Sequence, residues 1–216
     1  YLQGKASTIS ILGKKISLPD WEERLGREKL SFIRNGRTWR CVDSRIDSEL
    51  LGKRSGLQGP IDDAFTSPFL CVLGTGKPWN PQVAEWAQAS LRRFAYEWNR
   101  YMVGDIPIKN DRDVTPEDIR TKNLILFGDP GSNSLIKKVL PQLPIEWDPD
   151  TIRLFDKTYP SENYAPVLIN PNPLPGANDQ YVVINSGHTF HEEDLSTVAY
   201  MIYPRLGDWA IMRVGA

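Results

Sequence analysis

Cysteine and histidine are scarce in this chain, with two of each in 216 residues. Cys41 and Cys71 are too few for a disulfide-built scaffold, and no Cys-x-x-Cys or Cys/His set has zinc spacing, so no metal site is expected. Two buried free thiols satisfy the sequence, and so does one Cys41–Cys71 disulfide in an oxidising compartment. Charge of one sign is also lacking: 26 Lys+Arg face 27 Asp+Glu, and the basic pairs Lys53-Arg54 and Arg92-Arg93 are too short to form a patch. A nucleic-acid partner and an anionic membrane surface are therefore not expected. Apolar runs such as Leu124 to Phe127 have the length of a strand, far below the roughly 20 residues of a membrane helix, so no membrane span is expected. Internal repeats and low-complexity segments are missing too. The chain opens on Tyr1 without an initiator Met, a basic n-region or an apolar h-region, which predicts a piece of a longer or processed protein.

What is present is a 40% hydrophobic content, enough for a core, arranged in alternating strand and helix patterns. Residues 1–60 read as a β-hairpin annex and connection. Ser7 to Leu12 and Lys15 to Leu18 flank Gly13-Lys14, and Leu30 to Arg34 and Arg37 to Val42 flank Asn35-Gly36, whose glycine suits a type I′ turn. Pro19 to Lys29 has the pattern of one or two helical turns. In residues 61–216, Pro68 to Gly74 and Asn123 to Phe127 are continuous apolar runs, as in strands buried on both faces. Between them Asn80 and Pro81 open a helix whose Val83, Ala87, Leu91, Phe94, Trp98 and Tyr101 recur at three- and four-residue steps up to Gly104. Thr115-Pro116 starts a second helix, and Ser134 to Leu140 reads as a third. Ile152 to Phe155, Pro166 to Ile169, Tyr181 to Ile184 and Trp209 to Val214 are short strands, with a helix over Glu192 to Tyr203. This alternation predicts an open, mostly parallel three-layer α/β/α sandwich of the Rossmann or flavodoxin-like kind.

Several local patterns bear on chemistry. Gly128 to Asn133 is a glycine turn between a buried strand and a helix start, the place where backbone N–H groups can face an anion. It lacks the Gly-Lys-Ser/Thr of a phosphate loop, and Asp129 would repel the anion. A structural turn capped by Ser132 or Asn133 is the expected reading. Gly74-Thr-Gly-Lys77 fails as a phosphate loop because Pro78 follows it. His188 and His191 lie at a predicted strand end, where open α/β sheets bind ligands, but His-x-x-His followed by Glu192 to Asp194 matches no zinc signature and resembles an acidic helix start. Asp62 and Asp63 are adjacent, and adjacent side chains diverge rather than converge as a catalytic pair, so one is expected to cap a turn or hold a basic side chain. No Gly-x-Ser-x-Gly elbow is present, and Ser134-x-x-Lys137 stands without companion motifs, so the residues contain no complete catalytic set. Trp79, Trp147 and Trp209 are candidates for a carbohydrate-stacking platform.

The strings GPIDDAFTSPFLCV, NLILFGDPGSN, VLINPNPL, YVVINSGHTF and YPRLGDWAI resemble the C-terminal region of bacterial prolyl-oligopeptidase-like esterases and peptidases, over about Gly4 to Val214. In that family a separate α/β-hydrolase domain of the same chain holds the nucleophile. The resemblance implies a non-catalytic accessory domain, a secreted or periplasmic parent, an α/β-hydrolase domain as partner, and a carbohydrate or peptide substrate for the parent. No cofactor is expected. The matching positions are Asp62, Asp63, Gly128, Asp129, Asn133, Gly187 and His188. With His191, the acidic, amide and histidine residues among them are the candidate ligand-binding set. The alternative is a small-ligand or enzymatic domain using a crevice between Gly128–Asn133 and Gly187–His191.

Overall fold

The computed structural model describes residues 8–11, 13–18, 31–35, 38–42, 53, 56–177, 179–189 and 206–214. The helical readings of Pro19 to Lys29 and Glu192 to Tyr203, and His191 with them, lie outside the described residues. The chain divides into two compact units, residues 1–50 and 51–216.

The first unit contains two antiparallel hairpins. Strand β1 (Thr8–Ile11) pairs with β2 (Lys14–Ser17) around Gly13, which takes the positive φ of 76° that the tight turn demands. Strand β3 (Ser31–Asn35) pairs with β4 (Thr38–Val42), so that Asn35 faces Thr38 across the turn.

The second unit is mixed α/β. In chain order it runs through a short 3-10 turn (Ile61–Phe65), β5 (Phe69–Leu73), α1 (Pro81–Met102), β6 (Ile108–Asn110), α2 (Pro116–Thr121), β7 (Asn123–Phe127) and α3 (Ser134–Val139). There follow β8 (Glu146–Trp147), β9 (Thr151–Leu154), β10 (Lys157–Pro160), β11 (Tyr164–Pro171), β12 (Tyr181–Ile184) and β13 (Trp209–Arg213). The main sheet has the order β13-β11-β12-β7-β5-β6.

Its four strands from β12 to β6 are parallel, whereas β11 is antiparallel to both β12 and β13. The sheet is therefore mixed where the alternating pattern predicts a mostly parallel one. The cause is the link from β11 to β12: it is closed by a bond from Asn172 N to Gln180 O of 2.8 Å and is too short for a parallel crossover, which needs roughly a dozen residues or more. The expected Ile152 strand is present as β9. It belongs to a separate antiparallel sheet, β10-β9-β8, because Phe155-Asp156 turns the chain straight back.

Alternation along β7 explains its burial on both faces. Leu124 and Leu126 join one apolar cluster with Leu135, Ile136 and Val139 of α3 and with Trp147 and Ile152 of the small sheet. Ile125 and Phe127 join a second with Ala87, Leu91 and Phe94 of α1 and with Ile61 and Phe65 of the 3-10 turn. Each such large side chain stabilises the fold by about 1.5–3 kcal/mol relative to exposure. The helix starts follow from the sequence. Asn80 accepts from Gln82 N with Pro81 in the first turn, and Thr115 and Asp118 form a reciprocal capping box. Helix α1 ends at Met102, one residue before Val103 takes a left-handed conformation (φ 56°), rather than on Gly104.

Candidate functional site

The carboxyl ends of β5, β7 and β12 come together, as the crevice of an open α/β sheet requires. A cavity of about 320 Å³ beside the turn after β7 is lined by Thr75, Asp111, Gly131, Ser134 and Lys137, but the turn's own polar groups are bonded within the chain. In the turn after β7, Asp129 is 1% exposed and its carboxylate accepts four backbone N–H groups. Oδ1 takes Gly131 N (2.9 Å) and Ser132 N (2.8 Å), and Oδ2 takes Trp79 N (2.8 Å) and Asn80 N (3.3 Å). The amides that would face a bound anion already hold one, and it is Asp129.

The turn is also closely packed. A Cβ on Gly128 would meet Ser132 Oγ at 2.5 Å, one on Gly131 would meet Trp79 Cδ1 at 2.6 Å, and one on Gly74 would strike the Ser132 carbonyl. Asn133 is spent in the same way. Its side chain caps α3 by accepting from Leu135 N (3.0 Å) and Ile136 N (3.4 Å), and it donates to Val72 O (3.2 Å) and Phe127 O (3.1 Å). The expected asparagine cap is thus present, and it joins two strand ends as well.

Asp62 and Asp63 diverge, as adjacent residues in a tight turn must. Asp63 Oδ2 accepts from Tyr181 Oη at 2.5 Å, and that hydroxyl accepts Gly59 N at 3.0 Å. Burial and the neighbouring Asp63 carboxylate push the Tyr181 phenol up to about 12, so it keeps its proton and remains a donor. Asp62 takes Thr189 N (2.7 Å) and Thr189 Oγ1 (2.5 Å), anchoring the segment after β12 to the 3-10 turn. Asp62 Oδ1 lies 3.6 Å from His188 Nδ1, beyond hydrogen-bond range.

His188 is packed against Phe65 (5.7 Å between ring centroids) and Trp98 (6.2 Å), with 14% of its side chain exposed. Burial pulls its pKa below the ordinary histidine value, and the attraction of Asp62 only partly opposes this. The imidazole is therefore mostly neutral at pH 7. The adjacent Ser186 hydroxyl donates to Gly187 O at 2.9 Å rather than presenting itself as a nucleophile. A Cβ on Gly187 would run into the Phe94 ring, so this loop rests directly on α1.

His188 lines a cavity of about 300 Å³ with Trp86, Arg93, Phe94 and Glu97 of α1. Asp129 does not line it. The two predicted halves of the crevice are instead tied by a residue that motif reasoning missed. Asn185, in the left-handed region at φ 53°, accepts Gly128 N (2.8 Å) and donates to Gly128 O (2.9 Å) and Pro166 O (3.4 Å). Three more missed residues act alike. Asn123 accepts Tyr181 N (2.7 Å) and donates to Ala64 O (2.8 Å) and Ser67 Oγ (2.9 Å). Asp111 takes Thr75 N (3.1 Å), Thr75 Oγ1 (2.8 Å) and Ser134 N (2.8 Å). Burial alone would raise the Asp111 carboxyl, but these bonds hold it below the usual carboxylate range. Asp118 takes Lys109 and Lys122 besides its capping role. Sequence position offers one signal for Asn123, Asp111 and Asn185, since each is a short polar residue at or beside a strand end.

The tryptophans do not form a platform. Trp147 is buried, Trp79 meets it edge-on at 90°, and Trp209 pairs instead with Phe155 at 5.5 Å. Cys71 is a free thiol in β5, and burial pushes its pKa up. The side chain of Cys41 is outside the described residues. Among the described residues no group of three or more His, Cys, Asp or Glu is placed to hold a metal, and no helix is long and apolar enough to cross a membrane. No protein-family model matches this chain, and a search of curated proteins found no match.

Proposed function

We propose that this chain is a non-catalytic accessory domain of a secreted bacterial esterase or peptidase of the prolyl-oligopeptidase-like kind. It packs on an α/β-hydrolase domain of the same parent chain and shapes access of a carbohydrate or peptide substrate. The observation that carries this reading is how the strand-end polar groups are used. Asp129, Asn133, Asp62 and Asp63 bond to the chain's own backbone, to Tyr181 or to Thr189, which is the behaviour of residues that fix loops. A domain whose loops are fixed in this way suits a packing surface better than a reaction site. Phe155 (74% exposed) and Trp209 (45% exposed) add an exposed aromatic pair suited to a partner surface. Apolar clusters on both sides of the main sheet support the finer architecture of an open three-layer α/β/α sandwich.

The test is turnover by the purified 216-residue chain on p-nitrophenyl acetate and on a chromogenic peptide. The expected result is the buffer rate, unchanged by His188→Ala. Turnover of about 1 s⁻¹ or more that is lost in His188→Ala would overturn the reading.

A further inference from the structure

Glu97 lies on the buried face of α1, at the C-terminal end of a run whose other buried members are Val83, Ala87, Leu91 and Phe94. It is 9% exposed, no basic side chain of the described residues pairs with it, and its Oε2 atom is buried without a hydrogen-bond partner. Buried carboxylate oxygens in folded proteins are bonded to a donor, and an acceptor left without one stands out. Glu97 lines the cavity of about 300 Å³, at the lower end of the volume range of small-molecule sites, roughly 300–1,000 Å³. The surrounding wall is mixed: Trp86 and Phe94 give ring surface, Val167 and Met212 give aliphatic surface, and Ser90 a hydroxyl.

We propose that this cavity is a binding site for a small organic cation, a primary ammonium group carried on an apolar stem, with Glu97 as its counter-ion. An ammonium has three donors and no acceptor, which complements an acceptor-only carboxylate. The Trp86 and Phe94 rings attract a cation through their faces and take up the stem by burial. Arg93 lines the same cavity with a charge that opposes a cation, but it is exposed, and water and salt screen it more than they screen buried Glu97. The site does not depend on the accessory reading, since a packing domain and a free-standing one can hold it equally.

The experiment uses the 216-residue chain with 2-phenylethylammonium as probe, followed by calorimetry and by side-chain NMR. The expected result is saturable one-to-one binding with a Kd of about 1 mM or tighter, with shifts at Trp86 and His188 but not at buried Trp147. Glu97→Gln weakens binding by about tenfold or more, as the loss of a hydrogen bond to a charged group does, and Glu85→Gln on the exposed face of α1 leaves it unchanged. The charge-reversed 3-phenylpropionate does not bind. No saturation up to about 10 mM, with no shift at Trp86, would mean a hydrated cavity only and would overturn the proposal. Equal binding of 3-phenylpropionate, or undiminished binding by folded Glu97→Gln, would do the same. Should Glu97→Gln fail to fold, the wild-type shift map and the anion control decide between these outcomes.

Discussion

Replacing Asp129 by Ala removes the acceptor of four backbone N–H groups at once. Ser132 N is buried, and leaving it without a partner costs about 1–3 kcal/mol; Trp79 N, Asn80 N and Gly131 N are part-buried, can reach some water, and cost about 1 kcal/mol each. The sum is about 4–6 kcal/mol, near the whole stability of a marginal domain, about 5 kcal/mol. Asp129→Asn keeps one carbonyl oxygen but turns an amide NH₂ toward two of the donors, so about half the effect, roughly 3 kcal/mol, is expected. Urea unfolding followed by far-UV circular dichroism at neutral pH measures both variants. If Asp129 were a ligand-binding residue rather than the lock of its own turn, its removal would be nearly neutral or stabilising. An Asp129→Ala variant within about 1 kcal/mol of wild type therefore refutes the reasoning.

Three further outcomes are expected. Tyr181→Phe loses a hydrogen bond to the Asp63 carboxylate and the acceptor of Gly59 N, and is destabilised by about 1.5–3 kcal/mol in the same urea assay; an unchanged midpoint would deny that this pair anchors the 3-10 turn. Val103→Gly relieves a β-branched residue, 89% exposed, of a left-handed conformation at the end of α1, and raises stability by about 1 kcal/mol; a fall in Tm would refute the assigned helix end. Asp118 governs part of the acid limb. Burial alone would raise its carboxyl, but Lys109, Lys122 and Thr115 together hold it well below the usual range. Its contribution is therefore complete above the unfolded value of about 4 and is lost as pH falls below that toward the lower folded value. Urea midpoints measured from pH 7 down to pH 2.5 should fall more steeply for wild type than for Asp118→Asn, and parallel curves would contradict this.

Much of the second unit is legible where the signal is local. Asn80-Pro81 and Thr115-Pro116 mark helix starts because a cap needs only its own next turn. The NLILF run reads as a strand buried on both faces because its period is lost in continuous burial. What escaped is non-local. Strand β6 is three residues long, at the sheet edge, with exposed, intermediate and exposed positions, so no apolar pattern announces it. The strand at Ile152 is legible as a strand, but its pattern does not say which neighbour it joins, and Phe155 makes the turn to β10 without a glycine to mark it. In the candidate site, Asn133 as a cap was readable for the same local reason as Asn80. The bonding of Asn185 and Asn123 is not, since their partners lie between 19 and 59 positions away. Asp129 and His188 were both seen as candidates, but only the fold reveals that one closes its own turn while the other faces the α1 cavity.

The accessory reading is tested most directly by extending the source organism's reading frame on both sides of the 216 residues. The account predicts a single frame that also encodes an α/β-hydrolase domain with a Gly-x-Ser-x-Gly elbow. A frame that starts within a few residues of Tyr1 and encodes no such domain would contradict it.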